Sequence, residues 1–279
     1  HDADALTTES PMPYAQADIA GDVVLVTGAT SGIGEACAWR FAEAGCKLVL
    51  TGRRAQRLDS LKASIEAKHE GVTVTCVTMD VTDLERVAAL PGALLPLEVD
   101  ILVNNAGLAL GVAPAEANSM ADVQQMMATN VTGLIAMSAA FLPGMKARGK
   151  GHLINVGSIA GHEAYAGGSG YCASKAAVTA FTTAARHDLV GTPVRVTCIS
   201  PGAVNTEFST VRLGNKDDAD KVYDNLEPLV AADVADNVLY AATRPKHVQV
   251  ADLVVFCTNQ AGPKAVARVG PSLGGPSSQ

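Results

Sequence analysis

Two patterns of apolar residues alternate along the chain. One is a short, nearly unbroken run, seen at Val23–Thr27, Lys47–Thr51, Val72–Met79, Asp100–Val103, His152–Gly157, Val194–Ile199 and Asp252–Phe256. Runs of this length, rich in Val, Ile and Leu, predict strands covered on both faces. The other is a longer stretch with apolar side chains three to four apart, as at Leu58, Leu61 and Ile65. That spacing lays one apolar stripe along a helix. It predicts helices through Ala36–Ala42, over Ala55–Lys68, from about Ser119 past Met137, from about Tyr171 to Leu189, and over Ala231–Ala242. Strands that alternate with helices imply a mainly parallel sheet with helices on both faces, an α/β fold. No repeat or linker divides the chain. We expect an N-terminal arm over 1–20, one domain over 21–260, and a Gly/Pro/Ser-rich tail over 261–279 that is loosely ordered. Residues 209–228 read as polar and irregular, the main part of a mobile lid over about 205–228.

The turn after the first run is Gly28-Ala29-Thr30-Ser31-Gly32-Ile33-Gly34, and a helix follows. Strand, glycine turn and helix form the setting for a dinucleotide. Small residues let the backbone approach a pyrophosphate, and the helix start offers N–H groups and the positive end of its dipole. The second strand ends in Gly52-Arg53-Arg54. An acid at this point selects NAD through the ribose 2′-hydroxyl, whereas arginine accommodates the 2′-phosphate of NADP. The alternative is that Arg53 and Arg54 only begin a solvated helix. Asp80-Val81 close the third strand; Asp80 could accept from an adenine amino group or cap the next helix. Asn104-Asn105-Ala106-Gly107 after the fourth strand suit close contact with a cofactor, and equally suit a plain turn. Pro201-Gly202 with Val204 and Thr206 place backbone groups after the sixth strand.

Tyr171 and Lys175 are four apart, one turn along one helix face. A phenol is a poor acid or base at neutral pH, and a nearby ammonium favours the phenolate. Ser158 follows the fifth strand, where open α/β sheets bind ligands. Ser, Tyr and Lys together can hold and protonate a carbonyl oxygen. The loop Ala160–Gly170, with His162, Glu163 and Tyr165, should border the substrate. Asn130 sits mid-helix, where asparagine has low propensity; a water bridge to Lys175 would explain it, although local sequence alone favours a structural role.

Composition narrows this further. The 279 residues carry a net charge of −7 with only 18% charged, which argues against nucleic acid. No unbroken apolar run approaches 18 residues, the length of a membrane span. The six cysteines form no Cys-x-x-Cys pair, which suits reduced thiols in a cytosol-like, cytoplasmic setting. The histidines have no metal-type spacing.

Taken together, Thr27–Gly34, Asn104–Gly107, Asn130, Ser158, Tyr171-x-x-x-Lys175 and Pro201-Gly202 resemble the short-chain dehydrogenase/reductase family over about Gly21 to Gln260. Thr51–Arg54, Asn104–Gly111, Asn155–Gly161 and Thr206–Arg212 are similar to its NADP-dependent 3-hydroxy acid dehydrogenases, which include serine 3-dehydrogenases. The resemblance implies a Rossmann-type doubly wound sheet of about seven strands in the order 3-2-1-4-5-6-7, and a homotetramer. It implies Tyr171 as general acid/base, Ser158 on the substrate oxygen, Lys175 on the nicotinamide ribose, and Asn130 ordering a relay water. It implies cofactor contacts at Gly28, Ser31, Gly32, Ile33, Gly34, Asp80, Val81, Asn104, Val204 and Thr206. A hydroxy acid needs a cation for its carboxylate, and Arg212 is the candidate, unless it is an ordinary surface arginine. A broad carbonyl reductase with the same machinery is the competing reading, and a non-catalytic dinucleotide-binding regulator is a third.

Overall fold

The computed structural model describes residues 15–270. Seven strands form one parallel sheet: β1 Val23–Thr27, β2 Lys47–Gly52, β3 Val74–Thr78, β4 Ile101–Asn104, β5 Gly151–Val156, β6 Val194–Pro201 and β7 Asp252–Val255. Their order is β3-β2-β1-β4-β5-β6-β7, with every pairing parallel. The order turns back between β1 and β4, which opens a crevice at the carboxyl ends of the strands.

The unbroken apolar runs have a simple cause. Val24 and Val26 of β1 pack on one face of the sheet with Phe41, Leu58, Ile65 and Val238. Val23 and Leu25 pack on the other with Val87, Met137, Phe141 and Leu189. Alternate side chains point to opposite faces, and both faces are covered, so neither set is polar. The first face carries helices α1 Gly32–Glu43 and α2 Ala55–Lys68. The second carries α3 Leu84–Ala93, α4 Met120–Arg148 and α5 Ser169–Asp188. By length and composition α4 is the one helix among the described residues that could cross a membrane. In the fold its Met137, Phe141 and Met145 lie in the core against the sheet.

Two expectations are corrected. The stretch 209–228 is not irregular. It holds α6 Glu207–Leu213 and α7 Lys216–Lys221, set between Val204–Asn205 and Leu229–Val230, which pair as a short parallel ribbon. The caps that start them were visible locally: the Thr206 hydroxyl accepts from the Phe208 N–H, and the Asn215 side chain accepts from the Asp218 N–H. Gly214, at φ 77°, ends α6 in the left-handed region. The tail is likewise ordered as far as Gly270. Arg268 donates to the carbonyls of Asp224 and Val222, and the Gly270 N–H donates to Asn225. At the other end Ile19 is buried in the core and the Ala17 N–H donates to Thr243. The rest of the expected arm (1–14) and of the tail (271–279) lies outside the described residues.

Candidate active site

The loops at the carboxyl ends of the strands enclose a cleft of about 390 Å³. The β1–α1 turn forms its floor. Gly28 and Gly32 take φ of 68° and 56°, where a side chain is strained. A Cβ at Gly34 would strike the Gly28 carbonyl oxygen and the Asn105 amide. The turn is clasped from β4: the Asn105 side chain donates to the Thr27 and Gly28 carbonyls, and the Thr27 hydroxyl accepts from the Asn105 and Ala106 N–H groups. This leaves a side-chain-free backbone cradle at a helix start, and the residues present fit a dinucleotide pyrophosphate. Ser31, Gly32 and Ile33 line the cleft, while Gly34 lies beneath.

Asn104 and Asn105 divide their work. Asn104 is the last residue of β4, and its amide is buried, donating to Ser138 and Asn155. The structure does not bring this side chain to the cleft, where Asn105, Ala106 and Gly107 stand instead.

Arg53, Arg54, Asp80 and Val81 line one end of the cleft. Arg54 donates to the Thr30 hydroxyl at 2.8–3.0 Å, to the Ser31 hydroxyl at 2.7 Å, and to Glu207 at 3.0 Å. Arg57, one turn further along α2, meets the other Glu207 oxygen at 2.8 Å. Bonds from Arg57 and Arg54 hold the Glu207 carboxyl below its ordinary range, against a smaller opposing effect of burial. Arg53 is mostly exposed and 3.6 Å from Asp80. Burial raises the Asp80 pKa, but bonds from Thr82 and the charge of Arg53 outweigh it and leave the carboxyl lowered. Asp83, not Asp80, caps α3.

At the other end stand Ser158, Tyr171 and Lys175, all lining the cleft. The α5 spacing puts Tyr171 and Lys175 on one face, and the 3₁₀ turn after β5 brings in Ser158. Burial pushes the Tyr171 pKa above that of a free phenol; the neighbouring Ser158 hydroxyl and the Arg212 charge pull back down. Lys175 is 5% exposed and donates to the Val156 carbonyl at 2.8 Å. Burial brings its pKa down to about 8.

Asn130 occupies a π-helical turn, Ala128–Gly133, inside α4, a feature frequent at functional sites. Its amide grips the Leu108 backbone from both sides at 2.8 Å and donates to Ser174 at 3.0 Å. It does not line the cleft, but its oxygen and the Lys175 amine both approach Gly107. Pro201, Gly202, Val204 and Thr206 line the wall after β6.

The lid covers the Tyr171 end. Phe208 stacks edge-on to Tyr171 at 5.7 Å. The Arg212 guanidinium lies 5.7 Å from the Tyr171 ring and 5.6 Å from that of Tyr165. It donates to the Tyr165 hydroxyl and to the Gly111 and Gly167 carbonyls, all neutral oxygens. His162 turns away to Ser200. Thr30, Arg57 and Glu207 had no assigned role in the sequence. Arg57 could have been found as a third arginine one turn after Arg53 and Arg54; Glu207 had no comparable signal. Among the described residues no group of His, Cys, Asp and Glu could hold a metal ion, and all six cysteines are free.

A doubly wound sheet with a glycine cradle at β1 and a Ser-Tyr-Lys cluster beside it defines a dinucleotide-dependent oxidoreductase. The short chain dehydrogenase family matches residues 22–216, and the chain belongs to that family. A Schizosaccharomyces pombe protein named NADP-dependent 3-hydroxy acid dehydrogenase is 43% identical over 255 residues, covering 89% of this chain and 97% of the relative. An Agrobacterium fabrum serine 3-dehydrogenase is 42% identical over 238 residues, covering 85% and 94%. The closed form of a serine dehydrogenase complexed with NADP+ superposes with a TM-score of 0.81 at 44% identity, covering 86% of this chain and 96% of that one.

Proposed function

We propose that the protein is an NADP-dependent dehydrogenase of 3-hydroxy acids of the L-serine or 3-hydroxypropanoate type. The observation that carries this is Arg212, a cation that stands just outside the cleft lining, 5.7 Å from the Tyr171 ring, and whose partners among the described residues are neutral oxygens. A substrate carboxylate is the charge it lacks. The names of the relatives support the same reading.

Bound NADP supplies the hydride acceptor. Tyr171 acts as the phenolate, its own proton having left through the relay water, and takes the proton of the substrate hydroxyl; Ser158 holds the substrate oxygen by a hydrogen bond. Lys175 holds the nicotinamide ribose, and Asn130 orders a relay water while it fixes the Leu108 loop. Gly28, Ser31, Gly32, Ile33 and Gly34 shape the pyrophosphate cradle. Arg53 and Arg54 bind the 2′-phosphate, Asp80 and Val81 border the adenine, and Asn104 braces the β4 end from behind. Pro201, Gly202, Val204 and Thr206 border the nicotinamide. The chain works as a homotetramer in a reducing, cytoplasmic setting, in keeping with its free thiols.

Absorbance of reduced nicotinamide, followed with L-serine and 3-hydroxypropanoate and with NADP and NAD in parallel, tests the reading. We expect reduction of NADP with the hydroxy acids. Turnover confined to ketones would favour a broad carbonyl reductase, which the apolar lining of Leu108, Leu110, Phe208 and Val211 would suit. Equal use of NAD would overturn the roles given to Arg53 and Arg54.

A further inference from the structure

The arginines beside the β2 end are already engaged by an anion of the protein's own lid. One Glu207 oxygen meets Arg57 at 2.8 Å and the other meets Arg54 at 3.0 Å. The remaining bonded donors of Arg54 are committed to the Thr30 and Ser31 hydroxyls of the glycine turn. The edge of Arg54 that faces an anion is therefore the one that Glu207 holds. We infer that Glu207 stands in for a phosphate on Arg54 and Arg57, and that a 2′-phosphate on adenosine displaces it and frees the start of the lid helix.

The inference rests on the NADP reading and adds a residue to it that opposes the cofactor's phosphate. Both anions need the same donors. A phosphate carries more charge than a carboxylate and more acceptor oxygens, so it wins the exchange. The pairs are suited to exchange because all three side chains are about half exposed, at 43–50%, where water screens an ion pair and makes it weak. The other acid lining the cleft, Asp80, is engaged with Arg53 and Thr82.

The consequence reaches the far end of the cleft. Glu207 is the first residue of α6. Phe208 follows and stacks on Tyr171, and Arg212 lies in the last turn of the same helix. Release of Glu207 frees the helix that carries both side chains, so the adenosine phosphate is linked to the position of the substrate cation. An acid at this point lowers the net gain from the 2′-phosphate and leaves a nucleotide without that phosphate unaffected, so part of the phosphate's binding energy goes into moving the lid.

The test uses the cofactor-free protein, with adenosine 2′,5′-bisphosphate and 5′-AMP titrated calorimetrically into wild type and Glu207→Gln. Loss of two exposed pairs should tighten bisphosphate binding about fivefold, with 5′-AMP unchanged. Hydrogen exchange across 207–213 should rise when the bisphosphate binds wild type, and should already be raised in Glu207→Gln. Unchanged or weaker bisphosphate binding by Glu207→Gln overturns the inference, because Glu207 would then orient the arginines rather than compete for them. A wild-type protein that fails to distinguish the two nucleotides overturns the NADP reading itself, and this inference with it.

Discussion

Beside Tyr171, Lys175, Asn130 and Ser174 are buried and bonded to backbone or to one another inside packed elements; at the other end Arg54, Arg57 and Glu207 are about half exposed and bonded across the cleft. Lys175 holds the Val156 carbonyl, and Asn130 grips Leu108 from both sides. Such groups cannot turn to water if a partner is lost, so their geometry is rigid. Arg54, Arg57 and Glu207 can exchange partners with solvent or ligand at small cost. On the proposed roles, the chemistry is placed where the fold is least compliant and cofactor selection where charges can be traded.

The largest test of this contrast is Tyr171→Phe. Turnover should fall by roughly 10²–10⁴-fold, the usual worth of a positioned acid/base, while the thermal midpoint barely moves. Initial rates and a melting curve on one preparation decide it; a variant that keeps more than a tenth of its activity would remove Tyr171 from the proton transfer. Next comes Asn130→Ala. It strands the Leu108 N–H and carbonyl, at about 1–3 kcal/mol for each buried group left unpaired, while the Ser174 hydroxyl keeps its bond to the Tyr171 carbonyl. Denaturant unfolding should show a loss of at least about 2 kcal/mol; a loss typical of a surface residue would contradict the rigid end of the comparison.

Arg212→Ala should raise KM for a hydroxy acid by about 10- to 100-fold, the worth of a charge-assisted bond, and leave an uncharged ketone untouched. Steady-state kinetics on the two substrate classes separates a carboxylate partner from a lid brace. The smallest effect is in pH. Lys175 should titrate near pH 8 in the cofactor-free protein, against the ordinary value of 10.5. Between those values the unfolded chain binds the extra proton, so this group makes stability rise with pH over that interval and adds no slope below it. ¹³C NMR of labelled lysine reads the titration directly, and a midpoint above 10 would mean that water reaches the amine.

Much of the site was legible because it is written in local spacing. The Gly28, Gly32, Gly34 pattern and the Tyr171–Lys175 separation each need only one turn or one helix face to acquire meaning. Elsewhere the local signal misled. Asn104 and Asn105 look alike in the chain, yet strand alternation buries one and turns the other to the glycine loop. Polar composition made 209–228 read as irregular, although Thr206 and Asn215 were helix caps in plain view.

What the sequence by itself determined is the sheet, its helices and the residues that could do chemistry. Periodicity, glycine geometry and caps act over a few residues, and those effects are the same wherever the segment lies. Only the tertiary structure decided which charges meet. The pairing of Glu207 with Arg54 and Arg57 spans 150 residues or more, the tail docks on the lid through Arg268, and Arg212 reaches Tyr171 from a separate helix. Long-range partners are chosen by where the fold delivers each side chain, and no spacing in the chain records that choice.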